Sequence, residues 1–213
     1  MRYIVTAIQE RAAFVRYLKQ HIPHLEIVED RERSAMETFL RACATANDEP
    51  VVHLEDDIIL TRDFLPKLEA EITAHPHNII QCFSRSKYDL DLGSRWKAGA
   101  SFMSSLCTYL PAGVSSEIVA YQQSKEWRDL KKPSVLPPTP TTEAVGYDWM
   151  IAMMLAQSKR RYWLRVPSLV EHTPGLVSMI SSRRSKYRQS TSFTDPELRY
   201  FPSDYLPVKE KIT

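Results

Sequence analysis

Apolar residues along the first ninety positions follow two alternating spacings, which predict strands and helices in turn. Short runs rich in β-branched residues are typical of strands, and apolar residues three or four positions apart are typical of helices. Ser34 and Glu37 have the spacing of a helix capping box. Strands and helices joined by short links predict a parallel sheet that is covered by helices on both faces. The predicted strands lie at 3–8, 25–28, 51–54 and 78–83, and the predicted helices at 12–21, 34–46 and 63–75.

Beyond residue 84 the pattern becomes less regular. A polar stretch over 84–100 comes first, and a proline-rich connection over 133–140 interrupts the later elements. We predict a single α/β domain over residues 1–180 and a basic C-terminal tail over 181–213, which either wraps the core or becomes ordered on ligand binding. The later elements are predicted as a strand at 102–110, a helix at 115–130, a helix at 149–157, a strand at 162–166 and a loop at 171–175.

Composition excludes several classes of protein. The chain has 213 residues, of which 43% are hydrophobic and 25% charged, so it is not disordered throughout. All five glycines lie beyond residue 90, which excludes a glycine-rich phosphate loop after the first strand. No window of about 18 apolar residues occurs, so we predict no membrane partner and a cytoplasmic location.

Three consecutive carboxylates, Glu55, Asp56 and Asp57, follow the predicted strand at 51–54. The carboxyl end of a parallel strand is where α/β folds bind their ligands. Like charges about 4 Å apart repel by about 4 kcal/mol near a protein surface, so a bound cation would stabilise them. Oxygen ligands without a nearby cysteine favour magnesium, manganese or calcium over zinc. The alternative is a solvated acidic turn that precedes a helix.

These carboxylates resemble the acidic DxD motif that ends a central strand in nucleotide-sugar-dependent glycosyltransferases of the GT-A fold. Two further stretches are similar to that family and occur in the same order, namely Tyr147-Asp148-Trp149 and the segment from Val166 to His172. The resemblance spans the predicted domain. It implies a GT-A, Rossmann-like fold with a mostly parallel central sheet. It also implies a metal-dependent enzyme that moves a sugar from a nucleoside-diphosphate sugar to an acceptor hydroxyl.

The resemblance also implies a metal site. Asp57 and His172 would bind Mn²⁺ or Mg²⁺, and Glu55 would reach the ion through water or orient its neighbours. Each histidine or acid has a structural alternative. His172 is otherwise a hydrogen-bonded loop histidine, and Glu55 is otherwise a structural hydrogen-bond acceptor.

Four more residues receive roles from the same resemblance. Asp56 suits the ribose hydroxyls, Arg11 the nucleotide or its diphosphate, and Asp30 the ribose or base. Asp148 is the candidate general base that takes the proton of the acceptor hydroxyl. The alternatives are an exposed arginine at a helix start for Arg11, and an acid favoured by the helix dipole for Asp148.

The acceptor is suggested by positive charge in the later part of the chain. A basic run from Arg183 to Arg188 follows Lys159-Arg160-Arg161. This arrangement resembles small phage-encoded glycosyltransferases that decorate hydroxymethylated pyrimidines in double-stranded DNA, which would place the protein in the host cytoplasm. The target base would have to be flipped out of the duplex, and Trp96 or Trp149 could stack on it.

Several alternatives stay open at this point. The basic run is otherwise a solvated face, or closes over the donor diphosphate. The acceptor could instead be a carbohydrate or a protein. Two hypotheses belong to other functional classes. One is a catalytically silent module that binds nucleotide sugar or DNA, and the other is a metal-dependent phosphohydrolase.

Overall fold

The computed structural model describes residues 1–130, 146–176 and 189–205. In chain order the strands are β1 (Arg2–Ala7), β2 (Glu26–Glu29), β3 (Val51–Glu55), β4 (Ile58–Leu60), β5 (Ile80–Gln81), β6 (Arg95–Ala98), β7 (Cys107–Leu110), β8 (Arg161–Leu164) and β9 (Val170–His172). The α-helices are α1 (Ala12–His21), α2 (Ala35–Ala46), α3 (Phe64–Ala74), α4 (Asp89–Leu92), α5 (Val114–Gln123), α6 (Lys125–Leu130) and α7 (Tyr147–Gln157).

Seven of these strands form one sheet in the order β2-β1-β3-β7-β5-β8-β6. The strands β2, β1, β3, β5 and β8 run in one direction, whereas β7 and β6 run in the other. The strands β4 and β9 form a separate antiparallel pair. The predicted α/β class with a mainly parallel, Rossmann-like sheet is confirmed. The two reversed strands, β7 and β6, are the antiparallel part of this mostly parallel sheet.

Apolar side chains form one layer on each face of the sheet. Ile4 and Val5 are neighbours on β1, and they belong to opposite layers because side chains alternate along a strand. The first layer contains residues of α2, α5, α6 and α7, and the second contains residues of α1, α3, β4 and β9. Helices therefore cover both faces, as the sequence predicts.

Local signals place several elements well and miss others. Ser34 accepts a hydrogen bond from the backbone of Glu37 and begins α2, as predicted. The helix predicted at 115–130 is two helices, because Ser124 is extended and its side chain caps α6 through the Trp127 N–H. The polar stretch at 84–100 contains α4 and β6, and the predicted loop at 171–175 begins within β9.

The described part of the C-terminal tail, residues 189–205, lies against the domain. The Tyr17 hydroxyl donates to the Glu197 carbonyl at 2.7 Å and accepts from the Leu60 N–H at 2.9 Å. Phe201 is buried in the second apolar layer. The basic run from Arg183 to Arg188 lies outside the described residues. Within the part of the chain that the structure describes, no helix is both long enough and apolar enough to cross a membrane.

Candidate functional site

The acidic residues follow β3, and strand pairing brings His172 beside them. The strand β4 starts directly after Asp57 and pairs with β9, so that Ile58 lies opposite His172. The Thr173 N–H extends this pairing by donating to the Asp57 carbonyl at 2.7 Å. As a result, His172 Nδ1 lies 3.7 Å from Asp57 Oδ1. The structure therefore brings together the two predicted metal ligands, which are far apart in sequence.

Asp56 is tied to the loop that follows β1. One carboxylate oxygen accepts from Arg11 Nη1 at 2.7 Å, and the other accepts from the Ile8 N–H at 2.9 Å. The same Arg11 nitrogen is 3.1 Å from Asp57 Oδ2. Burial raises the pKa of the Asp56 carboxyl to about 6, although the Arg11 charge acts against this shift. Arg11 is thus a counterion of the acidic cluster and not an exposed arginine at a helix start.

Asp57 is buried, and one of its carboxylate oxygens has no hydrogen-bond partner among the described residues. Burial acts to raise the pKa of its carboxyl, but the His172 ring and the Arg11 guanidinium outweigh this and lower the pKa below its ordinary value. Asp57 is therefore an anion. Its Oδ1 is buried and has no hydrogen-bond partner among the described residues. A buried anionic oxygen without a partner is costly, so this atom can accept a further positive group.

Glu55 contacts Tyr147, a residue to which sequence reasoning gave no role of its own. The Tyr147 hydroxyl donates to Glu55 Oε1 at 2.6 Å, and the Tyr147 ring stacks on Phe39 with centroids 4.1 Å apart. Burial, followed by the charge of Asp57, raises the pKa of Glu55 to about 7. The structural role of Glu55 as a hydrogen-bond acceptor is therefore real, and the side chain also belongs to the acidic cluster.

Asp148 lies in the first turn of α7 and reaches the same edge of the sheet. Its Oδ2 accepts from the Ser104 N–H at 3.0 Å, in the segment that leads into β7. Because β7 is reversed, this segment lies at the carboxyl edge of the parallel strands. The charge of Asp148 contributes to the raised pKa of Glu55. We call Glu55, Asp56, Asp57 and Asp148 the acidic edge.

Asp30 lies at the end of β2 and shapes the turn before α2. Its side chain accepts from the Ser34 N–H at 2.9 Å, and its own N–H donates to the Ala7 carbonyl at 2.7 Å. The residue is therefore held next to the end of β1. Among the described residues, no hydrogen bond or ion pair joins it directly to the acidic edge.

Asp57 and His172 offer two donor atoms to a divalent metal. Among the described residues, no three His, Cys, Asp or Glu side chains converge as a ready-made metal site. Two ligands of one ion, each bonded at about 2.1 Å, are separated by about 3.0–3.6 Å, and the 3.7 Å between Asp57 Oδ1 and His172 Nδ1 is close to this. Magnesium sites commonly combine one or two carboxylates with water and substrate phosphates. Asp57 fits such a site, and the His172 imidazole, a ligand of transition metals rather than of magnesium, makes the pair better suited to manganese.

Sequence reasoning also missed two contacts that hold this geometry. The Glu171 carboxylate accepts from the His172 N–H at 2.7 Å and from the Ser190 N–H at 2.8 Å, which connects the backbone of this histidine to the C-terminal tail. Burial raises the pKa of Glu171 to about 7. The Ser104 contact to Asp148 spans 44 residues. The Glu171–Ser190 and Ser104–Asp148 contacts carry no local signal in the sequence, because both depend on tertiary packing.

Comparison with known proteins adds little to this geometry. No protein-family model matches the chain, and no curated protein matches it. Among solved structures, the chain is similar to the crystal structure of A197 from STIV, with 14% sequence identity and a TM-score of 0.43. The similarity covers 84% of this chain and 87% of that one. We therefore infer function from the geometry of the site itself.

Proposed function

We propose that this protein is a metal-dependent glycosyltransferase that moves a sugar from a nucleoside-diphosphate sugar to an acceptor hydroxyl. One observation carries the proposal. Asp57 presents a buried, unpaired oxygen towards His172 at the carboxyl end of the central strand β3. In α/β sheets of this kind, that position is where nucleotide ligands bind.

The donor would be held by residues around the ends of β1, β2 and β3. A divalent ion bound to Asp57 and His172 would supply Lewis-acid stabilisation of the diphosphate leaving group. Arg11 adds a fixed positive charge beside the carboxylates of Asp56 and Asp57. Asp56 fixes Arg11 and the loop after β1. We propose that Asp56 and Asp30 contact the ribose and base of the donor nucleotide.

The acceptor would be activated by Asp148. A general base must lie within hydrogen-bond reach of the hydroxyl that attacks the anomeric carbon. The Ser104 N–H fixes one carboxylate oxygen, and the other accepts from the Trp149 N–H at 2.8 Å. Each carboxylate oxygen can accept a second hydrogen bond, so the proton of the acceptor can still be taken. Glu55, held by Tyr147, orients this part of the site.

For the acceptor itself, we propose a hydroxymethylated pyrimidine in DNA. The support is the basic run from Arg183 to Arg188. If this run contacts DNA phosphates, glutamine at Arg183, Arg184, Lys186 and Arg188 should flatten the salt dependence of DNA binding by about one unit of slope for each lost contact. Donor binding should not change. Sugar transfer to a carbohydrate or protein, without DNA binding, would support the transferase proposal and exclude DNA as the acceptor.

The test of the transferase is a direct search for product. The full chain is incubated with Mn²⁺ or Mg²⁺ and a panel of nucleoside-diphosphate sugars, with and without hydroxymethylated DNA, and the products are weighed by mass spectrometry. A mass increase of one sugar that requires the metal supports the proposal. Asp63→Asn is the matched control, since Asp63 is an exposed carboxylate at the start of α3. Sugar transfer of equal rate in excess chelator would exclude the metal-dependent mechanism.

A further inference from the structure

A cavity lies at the opposite edge of the sheet from the acidic edge. Its walls come from the residues before β5, the residues after β7 and the turn between α7 and β8. Because β5 and β8 run parallel to β3, their starts lie at the edge where β3 also starts. The cavity has a volume of about 390 Å³, which is within the size range of small-molecule sites.

The charge of this cavity has one sign. It is lined by His77, Lys159, Arg160 and Arg161, and none of the described residues that line it carries a carboxylate. The charge of Arg160 is neutralised by Glu117, which lies outside the cavity lining, with 2.9 Å between Arg160 Nη1 and Glu117 Oε2. We call this site the basic cavity.

Two of these positive charges are available to a ligand. Within the described residues, neither Lys159 nor Arg161 forms an ion pair, and Arg161 contacts only a neutral group there, the Trp96 carbonyl, at 3.3 Å. The end of α7 contributes a partial negative charge, and the start of α5 contributes a partial positive one. Since these helix ends offset each other, the side-chain charges determine the sign of the potential.

An aromatic surface adjoins these charges. Trp96 lines the cavity, and its ring is fixed by contacts with Trp163 and His75, at centroid distances of 5.4 Å and 5.5 Å. The Arg161 guanidinium lies 5.8 Å from the centre of the Trp96 ring. A rigid aromatic ring beside two cations is the combination that binds nucleotides, since the ring contacts the base and the cations bind the phosphate.

We propose that the basic cavity binds a nucleotide, with its phosphate on Lys159 and Arg161 and its base against Trp96. The same chemistry is offered by a free mononucleotide and by the phosphorylated end of a single strand. The site is separate from the acidic edge, so the proposal does not rest on the transferase activity.

The test measures nucleotide binding after the acidic edge has been disabled. The full chain carrying Asp57→Asn, in chelator, is titrated calorimetrically with a mononucleotide, a 5′-phosphorylated trinucleotide and inorganic phosphate. We expect the nucleotides to bind and inorganic phosphate to bind more weakly. Lys159→Gln and Arg161→Gln should each lower nucleotide affinity about tenfold. Arg16→Gln and Lys19→Gln, each a single substitution at an exposed position on α1, remove the same charge as each test variant and should change nothing.

The ring contact is tested separately. Trp96→Leu should weaken nucleotide binding and leave the binding of inorganic phosphate unchanged. If the trinucleotide binds more tightly than the mononucleotide, the ligand of the basic cavity is the end of a single strand. If the two affinities are equal, the ligand is the free nucleotide. Absence of nucleotide binding, or nucleotide binding that is unchanged in Lys159→Gln and Arg161→Gln, overturns the proposal. Because Lys159 is exposed, its variant keeps the test valid even if Trp96→Leu folds poorly.

Discussion

The two edges of the central sheet differ in charge and in contact with water. The acidic edge gathers four carboxylates, with Arg11 and His172 beside Asp56 and Asp57. Asp56, Asp57 and His172 are buried. The basic cavity collects positive charge on a turn where Lys159 and Arg161 are exposed. Both edges belong to the same sheet, so the contrast comes from what the chain places at its two opposite edges.

This contrast has an energetic meaning. Burial at the acidic edge raises the pKa of Asp56 to about 6 and that of Glu55 to about 7, so the folded chain holds charge there at a cost. Exposed cations at the basic cavity remain hydrated and cost little. Side-chain changes at the acidic edge should therefore alter ligand binding more than folding. At the basic cavity, a backbone change should alter folding.

The largest effect is expected for Asp57→Asn. Loss of the carboxylate removes the proposed metal ligand, so transfer should fall to background and metal-dependent donor binding should be lost. The free energy of unfolding should fall by about 1–3 kcal/mol, because Arg11 and His172 lose a charged partner. Transfer assays, manganese titration and urea unfolding measure these quantities. His172→Ala should be milder, and full activity of Asp57→Asn in chelator would remove the metal role.

The next largest effect concerns Asp148. Asp148→Asn keeps an oxygen that can accept from the Ser104 N–H, so the local structure should be retained. A lost general base should lower kcat by about 10²–10⁴-fold and leave donor KM unchanged. Steady-state kinetics at saturating acceptor make the measurement. Equal losses in donor affinity and turnover would instead make Asp148 a structural residue of the α7 start.

Gly99→Ala tests the opposite edge through its backbone. A Cβ atom at Gly99 would overlap Leu155 and lie 2.8 Å from the Arg160 carbonyl, so it would push against the turn that carries the basic cavity. Overpacking of this kind should destabilise the fold by about 3 kcal/mol, as measured by urea unfolding. Ala100→Ser, at the exposed neighbouring residue, is the control. Equal stability of the two variants would show that the turn at this edge can shift to make room for the Cβ atom without lowering the free energy of unfolding.

The two halves of the sheet also differ in how well the sequence predicts them. The half formed by β2, β1 and β3 was predicted, because each strand is followed by a helix with its own local signals, such as the Ser34 cap. In the other half, the directions of β6 and β7 are set by pairing with distant strands, which a local apolar pattern does not encode. The strand β9 was missed for the same reason, since its three residues depend on β4.

The candidate site shows the same division. The run of Glu55, Asp56 and Asp57 after an apolar strand was visible in the sequence, and so was its place at a ligand-binding edge. The position of Arg11 between two of these acids was not predicted, because that contact joins residues 45 positions apart. The hydrogen bond from Tyr147 to Glu55 spans 92 positions. Residue type and strand position thus predict which groups do chemistry, and packing determines which of them already have partners.

The smallest effect expected is a pH dependence that originates beneath the acidic edge. His53 lies on β3, its ring meets those of Phe39 and Tyr147, and its Nε2 is 3.3 Å from the Thr6 hydroxyl. Burial lowers the pKa of His53 to about 3. Below its ordinary pKa of about 6.5, the unfolded chain binds a proton that the folded chain does not, so stability falls as pH falls.

His53→Gln removes this proton while keeping a side-chain amide near Thr6. Between pH of about 7 and about 5, the free energy of unfolding of the wild type should fall by about 2 kcal/mol more than that of the variant. Taking the difference between the two proteins cancels the opposite contributions of Glu55, Asp56 and Glu171, whose raised pKa values favour the folded state in acid. Urea unfolding at several pH values makes the measurement, and His77→Gln, at an exposed histidine of the basic cavity, should follow the wild-type curve. Parallel curves for wild type and His53→Gln would mean that His53 takes up its proton within the folded protein, and that the layer beneath the acidic edge is as open to water as the basic cavity.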